Sequence, residues 1–117
     1  MILVDTSVWI EHFKKSDPRL TNLLEENSVL VHPFVVGELA CGNLGNRNEI
    51  LTLLRNLPEI TTVSDEEVLY FINRQKLFGK GLGYIDVHLI ASCTIENVRL
   101  YTFDKKLNQV AEKLQLI

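Results

Sequence analysis

The chain has 117 residues, 46% of them hydrophobic and 23% charged, a composition that suits one folded domain over residues 1–117 and excludes a disordered or fibrous chain. No apolar run reaches the roughly 18 to 20 residues of a membrane helix, and no basic stretch precedes an apolar one at the start, where Ile2 already opens a strand, so a cytoplasmic protein is expected. A formal charge of −3 speaks against strong non-specific nucleic-acid binding, which rests on Lys and Arg.

Ile2-Leu3-Val4 reads as a short buried strand closed by Asp5, whose carboxylate would emerge at the C-terminal edge where open α/β sheets bind ligands. Thr6 and Ser7 follow as candidate caps for a helix. Val8 to Phe13 is a short apolar helix with Trp9 and Phe13 one turn apart; Trp9 belongs to the core or, if exposed, to a partner-binding groove. Asp17-Pro18 supplies an N-cap and a proline at the first helical position for a helix through Glu26. Val29-Leu30-Val31 is the second strand. His32-Pro33 then leads into an apolar helix ending at Cys41 and Gly42, with Glu38 as its lone acid. Burying such an acid is costly unless it is paired or holds a metal.

Gly45-Asn46 is a turn with a candidate N-cap, and Ile50, Leu53, Leu54 and Leu57 keep helical spacing up to Pro58. Ile60 to Val63 is a third strand, polar enough to lie at an edge. Ser64 and Glu67 form a capping box for a long helix whose Val68, Phe71 and Ile72 face inward. The run Gly79-Lys80-Gly81-Leu82-Gly83 lacks the spacing and the Lys-Ser/Thr ending of a P-loop, so it reads as a helix connection, with Lys80 a candidate phosphate contact at the rim. Tyr84 to Ile95 is apolar almost all round and predicts a central buried helix. Asp86 lies in its first turn, where the helix dipole favours an acid, and His88 points elsewhere, satisfied or half-exposed. Arg99 to Phe103 is the fourth strand, ended by Asp104 as the N-cap of a last helix with Leu107, Val110, Ala111 and Leu114 inward. Leu116-Ile117 suggests a short terminal strand. Cys41 and Cys93 read as two buried reduced thiols, and His12, His32 and His88 show no zinc spacing.

This order predicts a parallel sheet with helices on both faces. If the first and fourth strands are neighbours, Asp5 and Asp104 emerge side by side. Crossover helices run antiparallel to the strands, which brings Glu38 and Asp86 to the same edge. Two charges about 4 Å apart repel by roughly 4 kcal/mol at an effective dielectric near 20, so four gathered carboxylates call for protonation or a divalent cation. Oxygen ligands without His or Cys suit Mg²⁺ or Mn²⁺. With four of the fifteen acids set aside in such a site, twelve basic groups face eleven acidic ones, and the charge objection to a nucleic-acid substrate weakens.

The set Val4-Asp5-Thr6-Ser7, Gly37-Glu38-Leu39, Tyr84-Ile85-Asp86 and Thr102-Phe103-Asp104-Lys105 resembles the PIN-domain nucleases, and most closely the VapC toxins of toxin-antitoxin pairs. The resemblance covers essentially the whole chain. It implies a three-layer α/β fold, a parallel sheet of four to five strands flanked by about seven helices. It also implies a Mg²⁺- or Mn²⁺-dependent endoribonuclease acting on a structured RNA such as tRNA. Asp5, Glu38, Asp86 and Asp104 carry over as the metal-binding acids, and Thr6 or Ser7 as a supporting hydroxyl. A homodimer and a VapB-like antitoxin are implied as partners, with Trp9, Ile10 and Phe13 as part of the antitoxin groove. His32 departs from the small hydroxyl residue that relatives often carry there. Two other readings compete: a PIN-fold module that binds RNA without cutting it, and a phosphoacceptor receiver domain. The second fits poorly, because Asp5 stands alone after its strand and the second and third strands end in His32 and Ser64.

Overall fold

The computed structural model describes residues 1–117. Its elements run β1 (Ile2–Val4), α1 (Thr6–Lys14), α2 (Pro18–Glu25), β2 (Val29–Leu30), α3 (Pro33–Cys41), α4 (Arg47–Arg55), α5 (Asp65–Gln75), α6 (Tyr84–Glu96), β3 (Arg99–Tyr101) and α7 (Lys105–Lys113). The sheet has the order β2-β1-β3, with both pairings parallel. Buried hydrophobic chains from these elements form one core of 25 residues. Leu3, Leu20, Leu39, Leu89, Ile90 and Leu107 lie wholly inside it. No helix is long and apolar enough to cross a membrane.

Seven helices and a parallel sheet agree with the expected α/β architecture, but the sheet is narrower than the four to five strands anticipated. At one edge the segment expected as the third strand makes a single parallel bridge, Val31 to Glu59, through bonds from Val31 N–H to Pro58 O and from Ile60 N–H to Val31 O, each 2.9 Å. The ladder stops there because the Thr61 N–H turns to the Glu96 carboxylate. At the other edge Leu116 accepts one bond from Leu100 N–H and forms no strand. The strand before Asp104 ends at Tyr101, because the Phe103 and Asp104 amides bond to the hydroxyls of Ser7 and Thr102.

Local chemistry sets the helix starts. The Asp17 carboxylate accepts from Leu20 N–H and Pro18 holds the first helical position, as the sequence implied. The Ser64–Glu67 capping box is complete in both directions. Asn46 departs from expectation: it sits at φ 51° in the left-handed region and makes no side-chain cap bond. His32 has a role that the sequence left open, since its Nδ1 accepts from Phe34 N–H and caps α3. The two cysteines differ. Cys93 is buried and its thiol is pushed up to about 12 by burial and then by Glu96, whereas Cys41, at the end of α3, is exposed.

Two stability predictions follow from these caps. Asp17 Oδ2 also accepts from the Tyr101 hydroxyl at 2.6 Å, and the Arg19 guanidinium lies 4.3 Å from the centre of the Tyr101 ring. Burial and Asp17 push the Tyr101 hydroxyl up to about 12. Asp17→Ala removes a cap and strands a phenol, so urea unfolding should register a loss of about 2 kcal/mol, against a few tenths for Glu25→Ala. His32 is 1% exposed, and burial, with the nearby His88 charge, lowers it to about 4. The unfolded chain therefore takes up a proton near pH 6.5 that the folded chain refuses until about pH 4. Stability is full above pH 6.5 and should fall by up to about 1.4 kcal/mol per pH unit as the pH drops through that window. His32→Asn, which keeps an acceptor for the cap, should flatten that part of the stability profile.

Candidate metal centre

β1 lies between its two partners, and the Asp5 N–H continues the ladder to Tyr101 O at 2.9 Å. Asp5 and Asp104 thus leave neighbouring parallel strands at the same edge. Asp5 is the most enclosed of the four acids, 6% exposed. Its Oδ2 accepts from Ser7 Oγ and from Thr102 Oγ1, both at 2.7 Å. Ser7 Oγ in turn accepts from Phe103 N–H at 3.0 Å, and Thr102 Oγ1 from Asp104 N–H at 3.0 Å. Two hydroxyls therefore couple the Asp5 carboxylate to the backbone that carries Asp104.

Neither Thr6 nor Ser7 caps α1, whose N-cap residue is Asp5, with no side-chain cap bond. Thr6 Oγ1 donates instead to Glu38 Oε1 at 2.7 Å. Glu38 is exposed rather than buried, so water solvates it and the expected burial cost does not arise. Its placement comes from α3 packing beside α1. Asp86 is half-buried, and its Oδ2 accepts from Gly83 N–H at 2.9 Å. Asp104 is exposed and caps α7 by accepting from Leu107 N–H through Oδ1 at 2.9 Å.

Each acid therefore commits one oxygen to the protein and leaves the other without a protein hydrogen bond: Asp5 Oδ1, Glu38 Oε2, Asp86 Oδ1 and Asp104 Oδ2. Their charges feel one another. The Asp86 carboxyl is raised above its ordinary range by burial, against the Gly83 hydrogen bond, with further raising from Asp5, Asp104 and Glu38. No three His, Cys, Asp or Glu side chains stand close enough together to hold a metal ion as they are placed. By its chemistry the donor set, carboxylates without His or Cys, suits a hard cation that keeps several of its own waters.

The supporting pair Ser7 and Thr102 was only half legible in the sequence. Ser7 stands two residues after Asp5 and is an evident hydroxyl partner, whereas Thr102, two residues before Asp104, looks like ordinary strand in the sequence. Behind the acids, His88 is 2% exposed, so the ring is not half-exposed, and it is satisfied at one nitrogen only. Its Nε2 lies 3.3 Å from Asp65 Oδ1, which also accepts from the Tyr84 hydroxyl at 2.6 Å, while its Nδ1 has no partner. Those contacts hold the first turn of α6 to α5. On the far side of α1, Trp9, Phe13, Leu24, Ile50, Leu53 and Leu57 line an apolar groove of about 500 Å³. Trp9 is 3% exposed, so it serves as core and as groove wall together.

Comparison with known proteins gives the family. The PIN domain family matches residues 2–113. Ribonuclease VapC32 of Mycobacterium tuberculosis strain CDC 1551 / Oshkosh is 45% identical over 108 residues, spanning 92% of this chain and 87% of the relative. The protein of the same name from strain ATCC 25618 / H37Rv matches to the same extent. Matched by the PIN domain family over nearly its whole length and by a VapC ribonuclease at 45% identity, the chain belongs to the PIN-domain family, in its VapC-type branch.

Proposed function

We propose that the chain is a metal-dependent endoribonuclease and the toxin of a toxin-antitoxin pair, with Asp5, Glu38, Asp86 and Asp104 as its metal-binding acids. The observation that carries this reading is the four free carboxylate oxygens at one sheet edge, each side chain fixed through its other oxygen. The name of the relative, a ribonuclease, supports RNA as the substrate. A structured RNA such as tRNA is the class proposed.

Mg²⁺, with Mn²⁺ as a substitute, would be held by these acids, and when bound it supplies an activated water and charge stabilisation at the phosphodiester. The protein's own part is positional. Ser7 and Thr102 fix the rotamer of Asp5, Thr6 fixes Glu38, and the caps made by Asp86 and Asp104 fix theirs. Neutral hydroxyls and amides do this without adding a cation that would quench the negative field. The apolar groove beside α1 receives a segment of a VapB-like antitoxin, and the toxin works as a homodimer in the cytoplasm.

Asp86→Asn and Asp5→Asn keep an acceptor for the existing hydrogen bonds while removing charge. Each should lower RNA cleavage on the order of 100-fold or more, with far-UV circular dichroism unchanged. EDTA should stop the wild-type protein and Mg²⁺ should restore it; full activity in EDTA would defeat the proposal. Leu53 is 60% exposed on the groove wall, so Leu53→Glu should leave cleavage and fold intact while weakening antitoxin binding at least tenfold by calorimetry.

A further inference from the structure

A second cavity of about 520 Å³ opens along α7, lined by Lys80, Lys106 and Lys113 with Gln75, Gln109 and a single acid, Glu112. Lys106, Gln109 and Lys113 stand at i, i+3 and i+7 on one helix face, so the two lysines are roughly 10 Å apart at 1.5 Å per residue. Lys80 comes from the glycine-rich connection between α5 and α6. Gly81, at φ +78°, forms a seat for the arm of Lys106. A Cβ there would lie 2.8 Å from Lys106 Cδ and 2.9 Å from Nζ. The bare backbone thus lets Lys106 cross the loop that carries Lys80.

These charges are not spent internally. The one ion pair of the molecule within 4.0 Å is His88 with Asp65, so Glu112 neutralises none of the three lysines at contact distance. Three unpaired cations in one furrow are unexpected in a chain of net charge −3. α7 begins at Lys105, immediately after Asp104, so the furrow starts at the acidic edge and leads away from it along the helix.

We infer that the furrow of Lys80, Lys106 and Lys113 is a phosphate track, binding the RNA backbone to one side of the bond that is cut. The inference rests on the nuclease reading above. At about 3.4 Å per stacked nucleotide, the distance from Lys106 to Lys113 corresponds to roughly three nucleotides. Lysine is a point-charge donor without base selectivity, so the track supplies register and attraction, and sequence preference arises elsewhere. It also answers the charge objection: attraction for RNA is local, on the flank of a site whose own field repels it.

The test measures binding of a single-stranded RNA oligonucleotide without metal, in the Asp86→Asn background, across a salt series. Neutralising Lys80, Lys106 and Lys113 together to Gln should reduce the slope of log K against log salt by about 2, near 0.7 per phosphate contact for a single strand, while Arg55→Gln at the opposite sheet edge should remove little. Glu112→Gln should tighten binding. Gly81→Ala changes no charge but displaces Lys106; it should weaken binding in that background and, in the chain with Asp86 intact, raise KM for cleavage with kcat little changed. Thermal unfolding of each variant checks the fold. An unchanged salt slope in the triple variant would overturn the track while leaving cleavage, and so the nuclease reading, intact. Loss of binding to a poly-glutamate peptide with RNA binding unchanged would overturn it in favour of an acidic protein partner. Intact RNA binding by a chain that never cleaves would instead defeat the nuclease reading and leave the track standing.

Discussion

The placement of Asp5 depends on two hydroxyls. A nearly enclosed carboxylate at the end of the central strand is costly unless its oxygens are satisfied, and Ser7 and Thr102, 3.4 Å apart, together satisfy one of them. The same hydroxyls accept the Phe103 and Asp104 amides, which ends β3 and turns the chain into α7. One polar knot therefore sets the orientation of Asp5, the length of a strand and the position of the second strand-end acid. The parallel β1–β3 pairing supplies the frame, and the knot fixes the side chains within it.

From that point outward, each acid engages the protein through one oxygen and leaves the other free. Asp104 caps α7 and Asp86 ties down the first turn of α6, so the oxygens proposed for a metal are not the ones the fold uses. Burial raises the Asp86 carboxyl most, and repulsion from Asp5, Asp104 and Glu38 adds to it; the fold tolerates that repulsion because Glu38 and Asp104 are open to water. A cation would relieve that repulsion, which couples affinity for metal to the strain of keeping the acids together.

Much of this was legible in the residues because it depends on local rules. Asp17-Pro18, Ser64 with Glu67, and Asp104 before Lys105 announce helix starts, and Val4-Asp5 announces a strand end; the expectation that the acids share one edge follows from parallel topology. What escaped was whatever depends on partners distant in sequence. Thr102 meets Asp5 across 97 residues, and no period or cap points to it. Glu38 was expected to be buried because its helix neighbours are apolar, yet α3 turns that position to solvent. The third strand failed because Thr61 found a carboxylate 35 residues away instead of a ladder partner. His88 sits on an apolar helix without a pattern of its own, and its burial comes from the rings of Phe34, Tyr84 and His32 packed around it.

Charge separation links the two ends of α7. Were the lysines of the furrow placed among the acids, they would neutralise the field that a divalent ion needs and leave nothing to hold a polyanion. Set along the same helix from its first turn to its last, with Lys80 beside them on the loop before α6, they would act on different phosphates of the same strand. At physiological ionic strength the Debye length is about 8 Å, so the acids and the far lysine are largely screened from each other while each still acts on whatever touches it. The glycine at 81 contributes by having no side chain, since any Cβ there would push Lys106 away from the loop it crosses. The glycine-rich run that superficially suggested a phosphate loop is thus tied to phosphate by a different physical route: it supports a lysine arm instead of presenting its own amides.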